Sequence, residues 1–70
     1  MLQMREPVKE FAGKIYGWRE DKGDRIVAYA FSGKQLGYYD KSRDCTCEFG
    51  GRVICSGDAT TALILKDGLS

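Results

Sequence analysis

One pattern, Phe-x-Gly followed by Lys or Arg, occurs three times in this chain: Phe11-Ala12-Gly13-Lys14, Phe31-Ser32-Gly33-Lys34 and Phe49-Gly50-Gly51-Arg52. The spacings are 20 and 18 residues. Repetition at that length identifies a supersecondary unit before any fold is chosen. Six residues after each Phe comes a small residue (Gly17, Gly37, Cys55), and nine after comes an acid (Glu20, Asp40, Asp58). A unit with a glycine turn followed by an apolar run is a β-hairpin, so the chain reads as three hairpins in series.

Seventy residues make a single domain, 1–70, with repeats over about 13–30, 33–48 and 51–66. A chain this short buries too little surface for its core alone to be comfortable. Its nine glycines enlarge the entropy lost on folding. A metal, disulfides or burial against another copy would compensate, and self-assembly is the expectation, because small β units hide edges and apolar patches that way. Eleven Lys and Arg against ten Asp and Glu leave a net charge of +1, so bulk charge draws the chain neither to nucleic acid nor to anionic lipid. The first nine residues contain Arg5, Glu6 and Pro7 and no apolar run, so neither a signal peptide nor a membrane span is expected, and a cytoplasmic location is. Three cysteines, an odd number, argue against a complete disulfide framework and for free thiols.

Along the chain, Leu2 and Met4 alternate with polar residues and permit a short strand that Pro7 would stop or confine to an edge. Residues 14–18 and 25–31 are strands joined by the polar segment 20–24; residues 35–39 and 45–49 are strands joined by 40–44. In the latter, Cys45, Cys47 and Phe49 share one face, and Asp44, Thr46 and Glu48 the other. The third unit pairs 53–56 with 60–65. A helix from Ala59 to Lys66 competes there, but Thr60-Thr61 and the place in the repeat favour a strand, with Lys66-Asp67-Gly68 as a truncated turn.

The repeat positions have readable roles. Each Phe is expected to point inward, Phe31 in line with Tyr29 and Val27. The Gly of Phe-x-Gly supplies a positive φ, and the Lys or Arg after it is an edge charge. Gly17, Gly37 and Cys55 sit inside strands, which means either close approach of another backbone near a shared axis or a set of β-bulges. Tyr16, Trp18, Leu36 and Tyr38 fall at matching places in the first two repeats. Core packing is the plain reading; Tyr16, Trp18 and Tyr38 with Lys34 are also the candidate interaction surface, since Tyr and Trp combine apolar bulk with a polar tip.

The segment Phe31-Ser-Gly-Lys-Gln-Leu-Gly-Tyr-Tyr39, echoed at Phe11–Trp18 and Phe49–Cys55, is similar to the four-fold β-flower proteins, a small bacterial family. The resemblance spans most of residues 11–66 and implies short hairpin petals around a pseudo-symmetry axis. This chain departs from it in having three clear units, leaving a fourth to be completed by the termini (1–10 and 66–70) or absent. The family implies no catalytic or ligand residues.

Without histidine, Ser-His-Asp and Cys-His catalysis and histidine metal sites are excluded. The recurring acids Glu20, Asp40 and Asp58 read as side chains capping their own turns rather than as an acid–base pair. Cys47 lies opposite Cys55 or opposite Ile54, depending on the loop after Phe49, which leaves a Cys47–Cys55 disulfide or a three-cysteine zinc site as alternatives to free thiols. No glycine-rich loop has a phosphate-binding context. The expected fold is therefore all-β, an antiparallel meander of about six short strands built as three hairpin repeats, with a small SH3-like barrel as runner-up. The expected function is a non-catalytic, self-associating interaction or structural module without cofactors, with an unidentified protein as a further partner. The alternative is a single-stranded nucleic-acid binder using Lys14, Arg19, Arg25, Lys34 and Arg52 near the aromatics. Nucleic acid and membrane are not the expected partners.

Overall fold

The computed structural model describes residues 4–9 and 13–69. Six strands, β1 (Met4–Lys9), β2 (Ile15–Asp21), β3 (Arg25–Ala30), β4 (Gln35–Asp40), β5 (Cys45–Glu48) and β6 (Val53–Ser56), precede one helix, α1 (Thr60–Leu69). The strands form a single open sheet in sequence order, every neighbour antiparallel. The six-strand meander read from the sequence is thus present, with its hairpins side by side.

The repeated motif is the loop of alternate hairpins. Between β3 and β4, Gly33 N–H bonds Ala30 C=O at 2.9 Å and Ala30 N–H bonds Lys34 C=O at 2.8 Å. Between β5 and β6, Gly51 N–H bonds Glu48 C=O and Glu48 N–H bonds Arg52 C=O, both at 2.9 Å. Gly33 and Gly51 have φ of +96°, and Gly13 has +92°. In the loops at Gly33 and Gly51 this is a type I turn closed by a left-handed residue, a form that favours glycine at its last position. The motif therefore joins β1–β2, β3–β4 and β5–β6, one strand out of phase with the hairpins drawn from sequence.

That geometry corrects the expectation for the phenylalanines. Phe31 and Phe49 each occupy the first central position of their turn, where a side chain projects away from the sheet. Phe31 and Phe49 are 65% and 66% exposed; Phe11 lies outside the described residues.

A bulge follows each motif at the same place. The register slips between Val8 and Lys9, between Ala28 and Tyr29, and between Thr46 and Cys47, leaving Tyr16, Leu36 and Ile54 as the extra residues on β2, β4 and β6. So the repeat is a positive-φ glycine plus a bulge, copied three times, and the small residue follows each bulge.

The third unit departs from expectation. Residues 60–65, read as a strand, belong to α1, and Lys66-Asp67-Gly68 is its last turn rather than a hairpin turn. The helix starts where Leu63 N–H bonds Ala59 C=O at 3.0 Å. Asp58 takes the Thr60 N–H at 3.0 Å and the Thr60 hydroxyl at 2.6 Å. The buried Thr46 hydroxyl accepts from Ala59 N–H at 2.8 Å and donates to Gly57 C=O at 2.6 Å. These contacts satisfy amide groups that the start of a helix leaves without internal partners. Once begun, α1 lies across β2, β3 and β4 and touches β1. It buries Ile64 against Val8, Tyr16 and Ala28, with Leu36, Leu63 and Leu65 at the margin. Burying a side chain of that size contributes about 1.5–3 kcal/mol, enough to override the weak helix propensity of two threonines.

Candidate interaction surface

Alternation along the strands assigns the two faces of the sheet. Gly17, Arg19, Ala28 and Gly37 lie under α1: a Cβ at Gly17 would meet Ile64, one at Gly37 would meet Leu63, and Arg19 Nε donates to Thr60 Oγ1 at 2.8 Å. Trp18, Glu20, Val27, Tyr29, Tyr38 and Cys47 therefore share the opposite face, over which no described strand or helix packs. Cross-strand pairs tie them together: Trp18 with Tyr29, Glu20 with Val27, Val27 with Tyr38, Tyr38 with Cys47.

Of the residues singled out from sequence, Trp18 and Tyr38 are on this uncovered face, with Tyr29 and Val27 between them. Tyr16 is not: it is 7% exposed on the helix side, against Gly68. Lys34 is exposed at the turn end of the sheet, where its carbonyl closes the loop. Sequence reasoning missed Tyr29, and also Phe31, whose ring stacks on Trp18 with centroids 5.5 Å apart and planes at 20°. The signal for Tyr29 was its register opposite Trp18, which is fixed only once the loop type is known.

The cations of this face are already engaged. Arg5 lies 4.9 Å over the Tyr29 ring and bonds Glu20 at 3.1 Å. Arg25 lies 4.8 Å over Tyr38. Arg43 bonds Asp40 at 3.0 Å, and that bond raises the guanidinium above its ordinary value. Glu20 is buried and held by Arg5, with Lys22 at 4.0 Å. It is a paired buried carboxylate, and the turn-capping role expected of it falls to its neighbour Asp21, which accepts from Gly23 N–H at 2.8 Å. Asp40 does cap its turn, taking Ser42 N–H at 3.0 Å and the Ser42 hydroxyl at 2.8 Å. Asp58 caps as well, through Thr60.

The cysteines divide between the faces. The bulge at Ile54 sets Cys47 opposite Val53 and Cys55 opposite Thr46, so neither sequence-based pairing is realised. All three thiols are free, and the described residues contain no cluster able to hold a metal ion. Cys45 and Cys47 sulfurs are 4.0 Å apart. Burial, then the contact with Cys47, pushes the Cys45 thiol up, away from the thiolate a nucleophile requires. The hydrogen bond to Cys47 likewise raises Tyr38 above its ordinary value.

The sheet's two edges differ in kind. β1 carries Arg5, Glu6, Pro7 and Lys9, the residues that blunt an edge. β6 is Val53-Ile54-Cys55-Ser56, with no charge and no proline, and all four residues are exposed. Ile54 is the repeat equivalent of Tyr16 and Leu36, which α1 covers; at β6 no helix arrives, and Ile54 is 49% exposed and Val53 51%. Among the described residues no helix is long and apolar enough to cross a membrane. No family model, curated protein or solved structure matches this chain.

Proposed function

We propose that this protein is a non-catalytic interaction module that works by associating with copies of itself through its third repeat. One observation carries the reading: three equivalent bulged strands present an apolar side chain to the same side of the sheet, and α1 lies over only two of them. The third, on β6, keeps Val53 and Ile54 in solvent beside an unpaired backbone edge. Such an edge is a template for another strand. The non-catalytic part is supported by the lack of histidine, by carboxylates held in ion pairs and turn caps, and by a Cys45 thiol shifted away from ionisation. The single-stranded nucleic-acid alternative draws less support, because Arg19 and Arg25, two of the cations it relies on, already pair with carboxylates: Arg19 with Glu6 and Asp58, Arg25 with Asp24.

Sedimentation equilibrium tests the proposal. The wild type is expected to show a reversible, concentration-dependent rise above monomer mass. Ile54→Lys, a charge placed on the open edge, is expected to remain monomeric with a melting temperature within a few degrees of wild type. A wild-type monomer at every concentration would sink the reading.

A further inference from the structure

Self-association through β6 could bring two copies together in several ways, and the hydrogen-bond pattern of β6 narrows the choice to one arrangement. Glu48 N–H bonds Arg52 C=O, and Gly57 N–H bonds Asp44 C=O, each at 2.9 Å. These bonds flank the pairs Cys47–Val53 and Cys45–Ser56. In an antiparallel ladder, a pair flanked this way is a non-hydrogen-bonded pair, whose own N–H and C=O groups point to the far side. Val53 and Ser56 therefore direct their backbone groups outward, away from β5. Residues three apart alternate sides in a regular strand; the bulge at Ile54 puts these two on the same edge. The edge thus offers donor and acceptor at Val53 and again at Ser56, with Ile54 and Cys55 between.

The ends of the strand are oppositely charged. Arg52 precedes β6 and Asp58, which also pairs with Arg19 at 2.6 Å, follows it, while the strand itself is neutral. A second copy laid parallel would set Arg52 beside Arg52. Laid antiparallel, it brings each arginine toward the other copy's aspartate. The β1 edge is the poorer partner, since Pro7 has no N–H to give and Arg5, Glu6 and Lys9 bring charges to an apolar strand.

We propose that β6 pairs antiparallel with β6 of a second copy, about a two-fold axis passing between Ile54 and Cys55. Val53 of each copy then exchanges both backbone bonds with Ser56 of the other, and the two sheets become one. Ile54 of each copy packs beside Cys55 of the other, and the two Cys55 thiols come within reach of each other across the axis. The inference rests on the self-association proposed above and adds its strand, direction and register.

Two measurements on the full chain test it. A short bis-maleimide adds one thiol to each of its two ring double bonds, with no oxidant needed. It is expected to join wild-type chains into a covalent dimer through Cys55; the dimer is lost in Cys55→Ser and kept in Cys45→Ser. Val53→Pro removes an N–H that β5 does not use, so the chain is expected to keep its fold and lose its dimer. A dimer by sedimentation that does not cross-link at Cys55 would overturn this register while leaving self-association intact, as would a dimer that survives Val53→Pro. Larger species without the Cys55 link would indicate head-to-tail pairing of β6 with β1. Monomer throughout would overturn both readings. Should Val53→Pro fail to fold, the wild-type cross-link still decides.

Discussion

Two glycines carry much of the sheet–helix packing. A Cβ on Gly17 would stand 2.1 Å from the Tyr29 carbonyl oxygen and 2.7 Å from Ile64 Cγ2; one on Gly37 would stand 2.4 Å from the Cys47 carbonyl oxygen and 3.0 Å from Leu63 Cδ1. The carbonyls belong to neighbouring strands and cannot swing aside as a side-chain tip would. Gly17→Ala and Gly37→Ala are each expected to cost about 1–3 kcal/mol, the usual penalty for overpacking. Gly50 has nothing within 4 Å of the corresponding point and no positive φ, so Gly50→Ala is expected to stay within about 0.5 kcal/mol. Urea unfolding of the three variants checks the contrast; equal costs would mean that close approach is not why glycine stands at 17 and 37. The sequence made the crowding visible, because a glycine recurring inside strands signals it. It did not reveal what does the crowding. Nor did it reveal where Phe31 and Phe49 point, since their direction follows from a turn type that hydrophobicity alone does not encode.

The helix is the element that sequence reasoning misplaced, and the reason is physical. Thr60-Thr61 resists helix locally and the repeat frame asked for a strand. The opposing signal was short: Thr60, Leu63, Ile64 and Gly68 fall at helical spacing, over too few residues to outweigh the frame. What decides is tertiary. Gly68 lets Tyr16 approach the last turn, where a Cβ would stand 2.4 Å from its ring, Ile64 is fully buried, and Thr46 reaches from β5 to fix the first turn. The strands were legible because turn glycines and alternating side chains are local properties; the helix was not, because beyond the local Asp58 cap its supports come from other strands, such as Thr46, thirteen residues before Ala59. Thr46→Val keeps the shape and removes the hydroxyl, leaving Gly57 C=O and Ala59 N–H without that partner. The expected cost is about 1–3 kcal/mol, with loss of hydrogen-exchange protection concentrated at the start of α1. Thr46→Ser, which retains the hydroxyl, is expected to recover most of that protection. If both variants exchange alike, the hydroxyl bridge is not what anchors the helix.

Across the whole molecule, the two ends of the sheet are held by different forces, and acid separates them. At one end are the loops at Gly33 and Gly51, closed by backbone bonds and a left-handed glycine. At the other, where β2 meets β3, β4 meets β5 and β6 meets α1, three carboxylates do the tying. The Gly23 N–H, then Lys41, lowers Asp21 below its ordinary value, and the Lys41 bond, 3.0 Å long, links two neighbouring turns. The Ser42 hydroxyl and then Arg43 hold Asp40 down at about 2. Burial opposes ionisation of Asp58, but the Thr60 hydroxyl and N–H, with Arg19, outweigh it and leave it lowered. A carboxylate whose folded pKa lies below its unfolded one favours the native state only while ionised. Its contribution is complete above the ordinary carboxylate range, near pH 4, and is lost as pH falls toward 2. Acid should therefore loosen the molecule from this end. In an amide NMR titration from about pH 5 to about pH 2, signals from residues 22–24, 41–44 and 57–60 are expected to shift and broaden before those of 31–34 and 50–52. Asp40→Asn cannot lose a charge, so it should flatten the acid limb of stability and remove the early response at Ser42 and Arg43. Simultaneous loss at both ends, unchanged in Asp40→Asn, would mean that the carboxylates decorate that end of the sheet without holding it.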